Sequence, residues 1–189
     1  QHFLIDHNLA SLLADHASAG PGDLAVEVGP GMGMITREIL ATGATVYAIE
    51  RDERLAGFLK SELAPQYPEK LHLLRGDAVD MPVAGCPDIS SSRVVANPPF
   101  AITGPWLGKM LDAGMPACLS LLLQREAVDR LKAACGAREY GVLSIRLGAA
   151  YEVVYERRVP AQCFYPAPGI ESGIVVFRRR SQPHAFSRQ

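Results

Sequence analysis

Leu24-Ala25-Val26-Glu27-Val28-Gly29-Pro30-Gly31-Met32-Gly33 is the stretch that decides the fold. Its first five residues, apolar apart from Glu27, read as a buried strand. Glycines at alternate positions then form a turn in which no Cβ intrudes, so backbone can approach a ligand closely. Helical spacing follows from Met34 to about Ala41, with Ile35, Ile39 and Leu40 on one face and Gly43 as the stop. Strand, glycine turn and helix in that order open a βαβ unit. The pattern is not the dinucleotide fingerprint G-x-G-x-x-G, because its third glycine arrives one residue early. A pyrophosphate needs the anion site of a helix N-terminus, whereas acidic Glu27 beside the turn suits a cation. A generic strand-to-helix turn is the plainer alternative.

The alternation continues outward from this unit. Thr45 to Ile49 reads as the second strand, and Asp52 is a candidate cap for a helix with Leu55, Leu59 and Leu63 on its apolar face, ended by Pro65 and Pro68. Leu71 to Leu74 is a third strand, residues 81 to 92 are loop, and Arg93 to Asn97 is a fourth strand. A helix is expected from about Trp106 to Asp112, a fifth strand from Leu119 to Leu123, and helices from Glu126 to about Ala134 and from Tyr140 to Ala149. Tyr151 to Val159 and Gly173 to Phe177 are the last strands, joined only by a loop, which implies an antiparallel end to the sheet. Parallel crossovers earlier in the chain imply a doubly wound α/β sheet. Residues 1 to 20 are expected to lay a short helix over it, and no repeat or second domain is evident.

Length and composition narrow the class. The 189 residues suit one domain with a substantial core. Hydrophobic content of 48% fits a globular chain and argues against disorder. The longest apolar run, Ala117 to Leu123, is too short to span a bilayer, and no basic-then-apolar leader is visible, so a cytoplasmic location without a membrane partner is expected. Net charge is −1, which excludes a polycation, although Arg178, Arg179, Arg180 and Arg188 follow Ser172 with no acid among them. Cysteines 86, 118, 135 and 163 form no C-x-x-C pair, the histidines have no zinc spacing, and no metal is expected.

Polar residues fall at successive strand ends, where doubly wound sheets bind ligands. Glu27 to Gly33 as E-x-G-x-G-x-G resembles motif I of S-adenosylmethionine-dependent methyltransferases, with Glu27, Gly29, Gly31 and Gly33 facing the cofactor. Glu50 ends the second strand 23 positions after Glu27, where a carboxylate accepts both ribose hydroxyls. Asp77-Ala78 ends the third strand and is placed to meet the cofactor's adenine, an Asx turn being the simpler reading of Asp77.

The fourth strand ends in Asn97-Pro98-Pro99-Phe100. Two prolines donate no backbone hydrogen bond and fix their own φ, so this corner is stiff and rich in acceptors. It suits a flat ring bearing an exocyclic amine: Asn97 and the Pro98 carbonyl accept from the NH2, and Phe100 stacks. The alternative is a strand exit with Phe100 in the core. Phe164 to Ser172, aromatics stiffened by prolines, is a candidate stacking wall, with Phe164 sandwiching the base against Phe100. At the other end of the chain, Phe3 and Leu4 are candidates for a lid over the cofactor and Gln1 for a contact with its carboxylate end, or they form a plain helix-entry staple.

Taken in order, Gln1-His2-Phe3-Leu4, Glu27 to Gly33, Glu50, Gly76-Asp77-Ala78, Asn97 to Phe100 and Phe164 to Ser172 resemble the ribosomal RNA adenine N6-dimethyltransferase family, over nearly the whole chain. Gly29-Pro30-Gly31 is closer to its small-subunit rRNA branch than to its macrolide-resistance branch. The resemblance implies a Rossmann-like methyltransferase fold with a mostly parallel seven-stranded sheet and an antiparallel end strand. It also implies S-adenosylmethionine as cofactor and RNA as partner, either small-subunit rRNA or a pre-ribosomal particle, for a monomeric enzyme. Pro98 stands where the family has an apolar residue, and Asn-Pro-Pro-Phe resembles the motif of DNA and other RNA adenine-N6 methyltransferases. DNA, another RNA, and a non-catalytic nucleic-acid-binding role stay open on that ground. Residues 1–180 are expected to form the catalytic domain with its N-terminal lid helix and 181–189 a basic tail, without the family's C-terminal helical domain.

Overall fold

The structure, a computed structural model, describes residues 2–182. The expected contact of Gln1, and most of the basic tail including Arg188, lie outside those residues. In chain order the elements are β1 (Phe3–Leu4), α1 (His7–Ala17), β2 (Leu24–Val28), α2 (Met34–Ala41), β3 (Thr45–Glu50) and α3 (Glu53–Phe58). β4 (Leu71–Arg75), β5 (Arg93–Ala96), α4 (Thr103–Ala113), β6 (Cys118–Gln124) and α5 (Arg125–Leu131) follow. The chain closes with α6 (Val142–Ala150), β7 (Tyr151–Val159), β8 (Phe164–Tyr165) and β9 (Ser172–Arg179).

Seven strands form one sheet in the order β4-β3-β2-β5-β6-β9-β7. β4 through β6 are all parallel, as the intervening helices require. β9 pairs antiparallel with both β6 and β7. The antiparallel end therefore differs in detail from a simple hairpin at the margin. The reversed strand lies one place in, and the edge strand β7 runs with the rest. The α6 crossover delivers β7 one position too far out, and the chain returns through residues 160–171 to fill the gap with β9.

Alternate residues of each strand feed two apolar layers. Ala25, Val46, Ala48, Val95, Leu122 and Ile174 pack under α1, α2 and the turn after α3. Val26, Val28, Ile49, Val94, Leu121 and Val175 pack under α4, α5 and α6. Burial on both faces is why the central strands read as unbroken apolar runs. Asp52 caps α3, accepting from the Arg54 and Leu55 amides, as its spacing predicts. Beyond Phe58 the helix widens into a π-helical turn, Leu59–Leu63, which keeps Leu59 and Leu63 fully buried. α4 starts three residues before Trp106, since Pro105 is tolerated in a first turn where its missing N–H has no partner to lose. Trp106 is fully buried, and its indole N–H donates to the Pro82 carbonyl at 3.0 Å, holding the loop before β5.

One pairing carries no signal in the sequence. β1 and β8 form a separate two-stranded antiparallel sheet, Phe3 opposite Tyr165 and Leu4 opposite Phe164, extended by Ile5 N–H donating to Cys163 O at 2.9 Å. The segment expected as a lid is thus a strand pair followed by a helix.

Among the described residues, no helix is long and apolar enough to cross a membrane, and no cluster of three or more His, Cys, Asp or Glu is placed to hold a metal ion.

Candidate active site

Strand order reverses between β2 and β5, and a cavity of about 830 Å³ opens there, at the carboxyl ends of the parallel strands. The glycine turn after β2, Glu50 at the end of β3, Arg75 at the end of β4 and Asn97-Pro98-Pro99-Phe100 after β5 all border it. His2, Phe3 and Leu4 roof it from β1, and Phe164 and Pro168 close the side.

The glycine turn is tight: Gly29 N–H donates to Ile49 O at 3.0 Å, and Gly33 N–H donates to Pro30 O at 2.8 Å. Gly31 adopts φ +59°, and a Cβ there would lie 3.4 Å from the Phe3 ring. A side chain there would touch that ring without clashing, so it is the left-handed φ that favours glycine. Glu50 is 3% exposed. Its Oε2 accepts from Gly31 N–H at 3.1 Å and its Oε1 from Asp52 N–H at 2.9 Å. Each oxygen keeps a further acceptor position, so the carboxylate is aimed and still able to receive two hydroxyls.

After β5, Ala96 leads into half-buried Asn97 and buried Pro98. The Pro99 carbonyl is used by the start of the next turn, accepting from Ile102 N–H at 3.1 Å. The Pro98 carbonyl accepts no backbone N–H among the described residues. The corner therefore offers one amide side chain and one uncommitted carbonyl beside the half-buried ring of Phe100.

Four expected cofactor residues stand behind the cavity wall instead of on it. Glu27 is 1% exposed and points from β2 toward the α2 layer, since strand alternation puts it on the face of Ala25. Its Oε2 and the nearby Thr36 Oγ1 have no hydrogen-bond partner among the described residues. Burial pushes its pKa up to about 8, and the Glu50 carboxylate adds to it. Gly33 faces Leu59 and Leu63. Asp77 accepts from Val79 N–H at 2.8 Å, the Asx turn, and lies 3.5 Å from the Arg51 guanidinium, which occupies the cavity side. Ala78 is buried in the core layer of α4.

The expected sandwich of a base between Phe100 and Phe164 is also modified. Phe164 borders the cavity but is only 5% exposed and packs with Leu4 in the core. Alternation along β8 turns Tyr165 outward, 72% exposed and off the cavity wall, so β8 offers no free aromatic face to a base in the cavity. Glu126 and Arg130 form an exposed i,i+4 pair on the surface of α5. His2, Met32, Arg51 and Arg75 border the cavity without having been singled out. Only His2 and Met32 sit inside motifs that could have flagged them.

A family model described as ribosomal RNA adenine dimethylase matches residues 1–187. The chain is 40% identical over 189 residues to ribosomal RNA small subunit methyltransferase A of Opitutus terrae, covering 99% of this chain and 68% of that protein. It is 38% identical to the protein of the same name from Deinococcus radiodurans, covering 97% of this chain and 62% of that one. This chain thus spans about two thirds of the length of these relatives. Among solved structures, the 23S rRNA methyltransferase ErmE superposes with TM-score 0.83 at 25% identity, over 98% of this chain and 72% of that one. A dimethyladenosine transferase from Plasmodium falciparum superposes with TM-score 0.81 over 94% of this chain and 63% of that one; at 24% identity this likeness speaks for the fold alone.

Proposed function

This chain belongs to the ribosomal RNA adenine dimethylase family, and from that premise we propose that it transfers methyl groups from S-adenosylmethionine to the N6 amine of adenine in RNA. Small-subunit ribosomal RNA is the substrate favoured by the relatives' names. The observation that carries the reading is the meeting of the Glu50 carboxylate, the glycine turn and the Asn97-Pro98-Pro99-Phe100 corner around one cavity. The described residues of one chain line the cavity, and the reading is of an enzyme that acts as a monomer.

The residues present fit the cofactor. Glu50, nearly buried and already aimed by two amides, is an acceptor pair for ribose hydroxyls. Gly31 leaves room for a close approach under Phe3, and Phe3 and Leu4 cover it. When bound, S-adenosylmethionine supplies a methyl group on a sulfonium, activated toward nucleophiles. Asn97 Oδ1 and the Pro98 carbonyl accept the two hydrogens of the adenine amine. That draws the nitrogen toward a pyramidal shape and frees a lone pair otherwise delocalised into the ring. Alignment and fixed dipoles supply the acceleration. No strong base is required, because the amine proton becomes acidic once nitrogen carries the new bond. The target adenine must leave its stack, and Phe100 offsets part of that cost.

Asn97→Ala should lower transfer of labelled methyl to 30S ribosomal RNA by at least about a hundredfold, with cofactor affinity within about twofold of native by titration calorimetry. Equal loss of cofactor affinity would place Asn97 in the wrong subsite. Duplex DNA as parallel substrate tests the alternative raised by Pro98: faster labelling of DNA than of RNA would overturn the RNA assignment.

A further inference from the structure

His2 joins three walls of the cavity. It belongs to the segment that opens β1. Its Nδ1 lies 2.6 Å from the Pro166 carbonyl, 164 positions away in the chain. A carbonyl only accepts, so the proton sits on Nδ1 and the ring is held in one orientation by the loop after β8. The ring also stacks on Phe100, with centroids 6.5 Å apart and planes inclined by 28°.

Phe100 needs such a partner. The two prolines fix the backbone of the corner but leave the phenylalanine side-chain torsions free. The ring is half-buried, so packing does not hold it on every side. Among the described residues, His2 is the only aromatic side chain stacked on it.

We propose that His2 is a positioning residue for methyl transfer: oriented by Pro166, it braces the Phe100 ring so that the target adenine is held in one plane. The inference rests on the reading of this cavity as an adenine N6 methyltransferase site. The link runs from Pro166 to His2, from His2 to Phe100, and from Phe100 to the base. Its effect is on alignment, to which transfer rates are sensitive even at small misplacements.

Three substitutions separate the parts of the brace. His2→Ala removes ring and hydrogen bond, His2→Phe keeps a ring face without the bond, and His2→Asn keeps an N–H donor without the ring. Methyl transfer to 30S ribosomal RNA gives kcat and KM, and calorimetry gives cofactor affinity, which also reports folding. A third readout is the fluorescence of 2-aminopurine placed at adenine positions in a single-stranded RNA oligonucleotide, quenched where the base stacks on Phe100. His2→Ala should lower kcat about three- to tenfold, as expected for losing one aromatic contact, with cofactor affinity within about twofold. His2→Phe should recover most of kcat and of the quenching, and His2→Asn neither. A kcat for His2→Ala within about twofold of native overturns the proposal. So does recovery by His2→Asn alone, or a fall in cofactor affinity matching the fall in kcat. Native protein that methylates no RNA would instead overturn the reading of the site, and native turnover indifferent to His2 would overturn this inference only.

Discussion

Glu27 holds a carboxyl group beneath α2 with one oxygen unpartnered, and burial raises its pKa from 4.5 to about 8. The folded chain therefore keeps a proton that the unfolded chain releases. Its contribution to stability is complete below about pH 4.5 and is lost as pH rises through about 8, at a slope near ~1.4 kcal/mol per pH unit in between. Glu27→Gln should flatten that slope in urea unfolding followed from about pH 5 to about pH 8. Equal slopes in the two proteins would assign the effect to another group. Gly33 sets a different limit. It sits at φ +80°, and an added Cβ would lie 2.8 Å from Leu59 Cδ2 and 3.1 Å from Leu63 Cδ2, both on fully buried residues. Gly33→Ala should cost about 1–3 kcal/mol, combining strained φ with overpacking. An unchanged denaturation midpoint would contradict this. Neither role is legible in the residue's motif: the E-x-G-x-G-x-G spacing marks a ligand-binding turn, but only strand alternation and the partner helix decide which members face inward.

The strand pair β1–β8 shows what local patterns miss. Each strand is two residues long, too short for any period, and its partner lies some 160 positions away. By contrast β2, β3, β5 and β6 are largely apolar runs buried on both faces between polar segments, so their limits in the sequence match the structure within a residue or two. The short pair still has a function that can be tested. Ile5→Pro removes the N–H given to Cys163 O and leaves the seven-stranded sheet intact. Dissociation of S-adenosylmethionine, followed by stopped-flow fluorescence, should quicken by several-fold while the unfolding midpoint moves little, since one exposed-edge hydrogen bond is worth about 1 kcal/mol. An unaltered rate would mean that the pair is not a lid.

Across the whole molecule, the rim of the sheet ranks its acids. Glu50 touches the cavity, whereas Asp77 sits behind Arg51 and already serves its own turn. Cofactor affinity should fall about ten- to a hundredfold in Glu50→Ala, which loses charged hydrogen bonds, and distinctly less in Asp77→Ala. Reversed rankings by calorimetry would require Arg51 to swing aside on binding. The order of successive strand ends made this crevice legible in the sequence, but the depth of each acid in it was not, because depth depends on neighbours from other elements. At the far margin, β7 ends the sheet with Glu152, Glu156, Arg157 and Arg158 exposed, and its pairing with β9 is interrupted between Val153 and Tyr155. Glu156 is drawn back onto Arg125 and Lys132. A second copy approaching edge-on would have to bury this row of charge against a kinked ladder, so this border is guarded against fibril-like growth even though the strand beside it carries the buried apolar run Ile174 to Phe177.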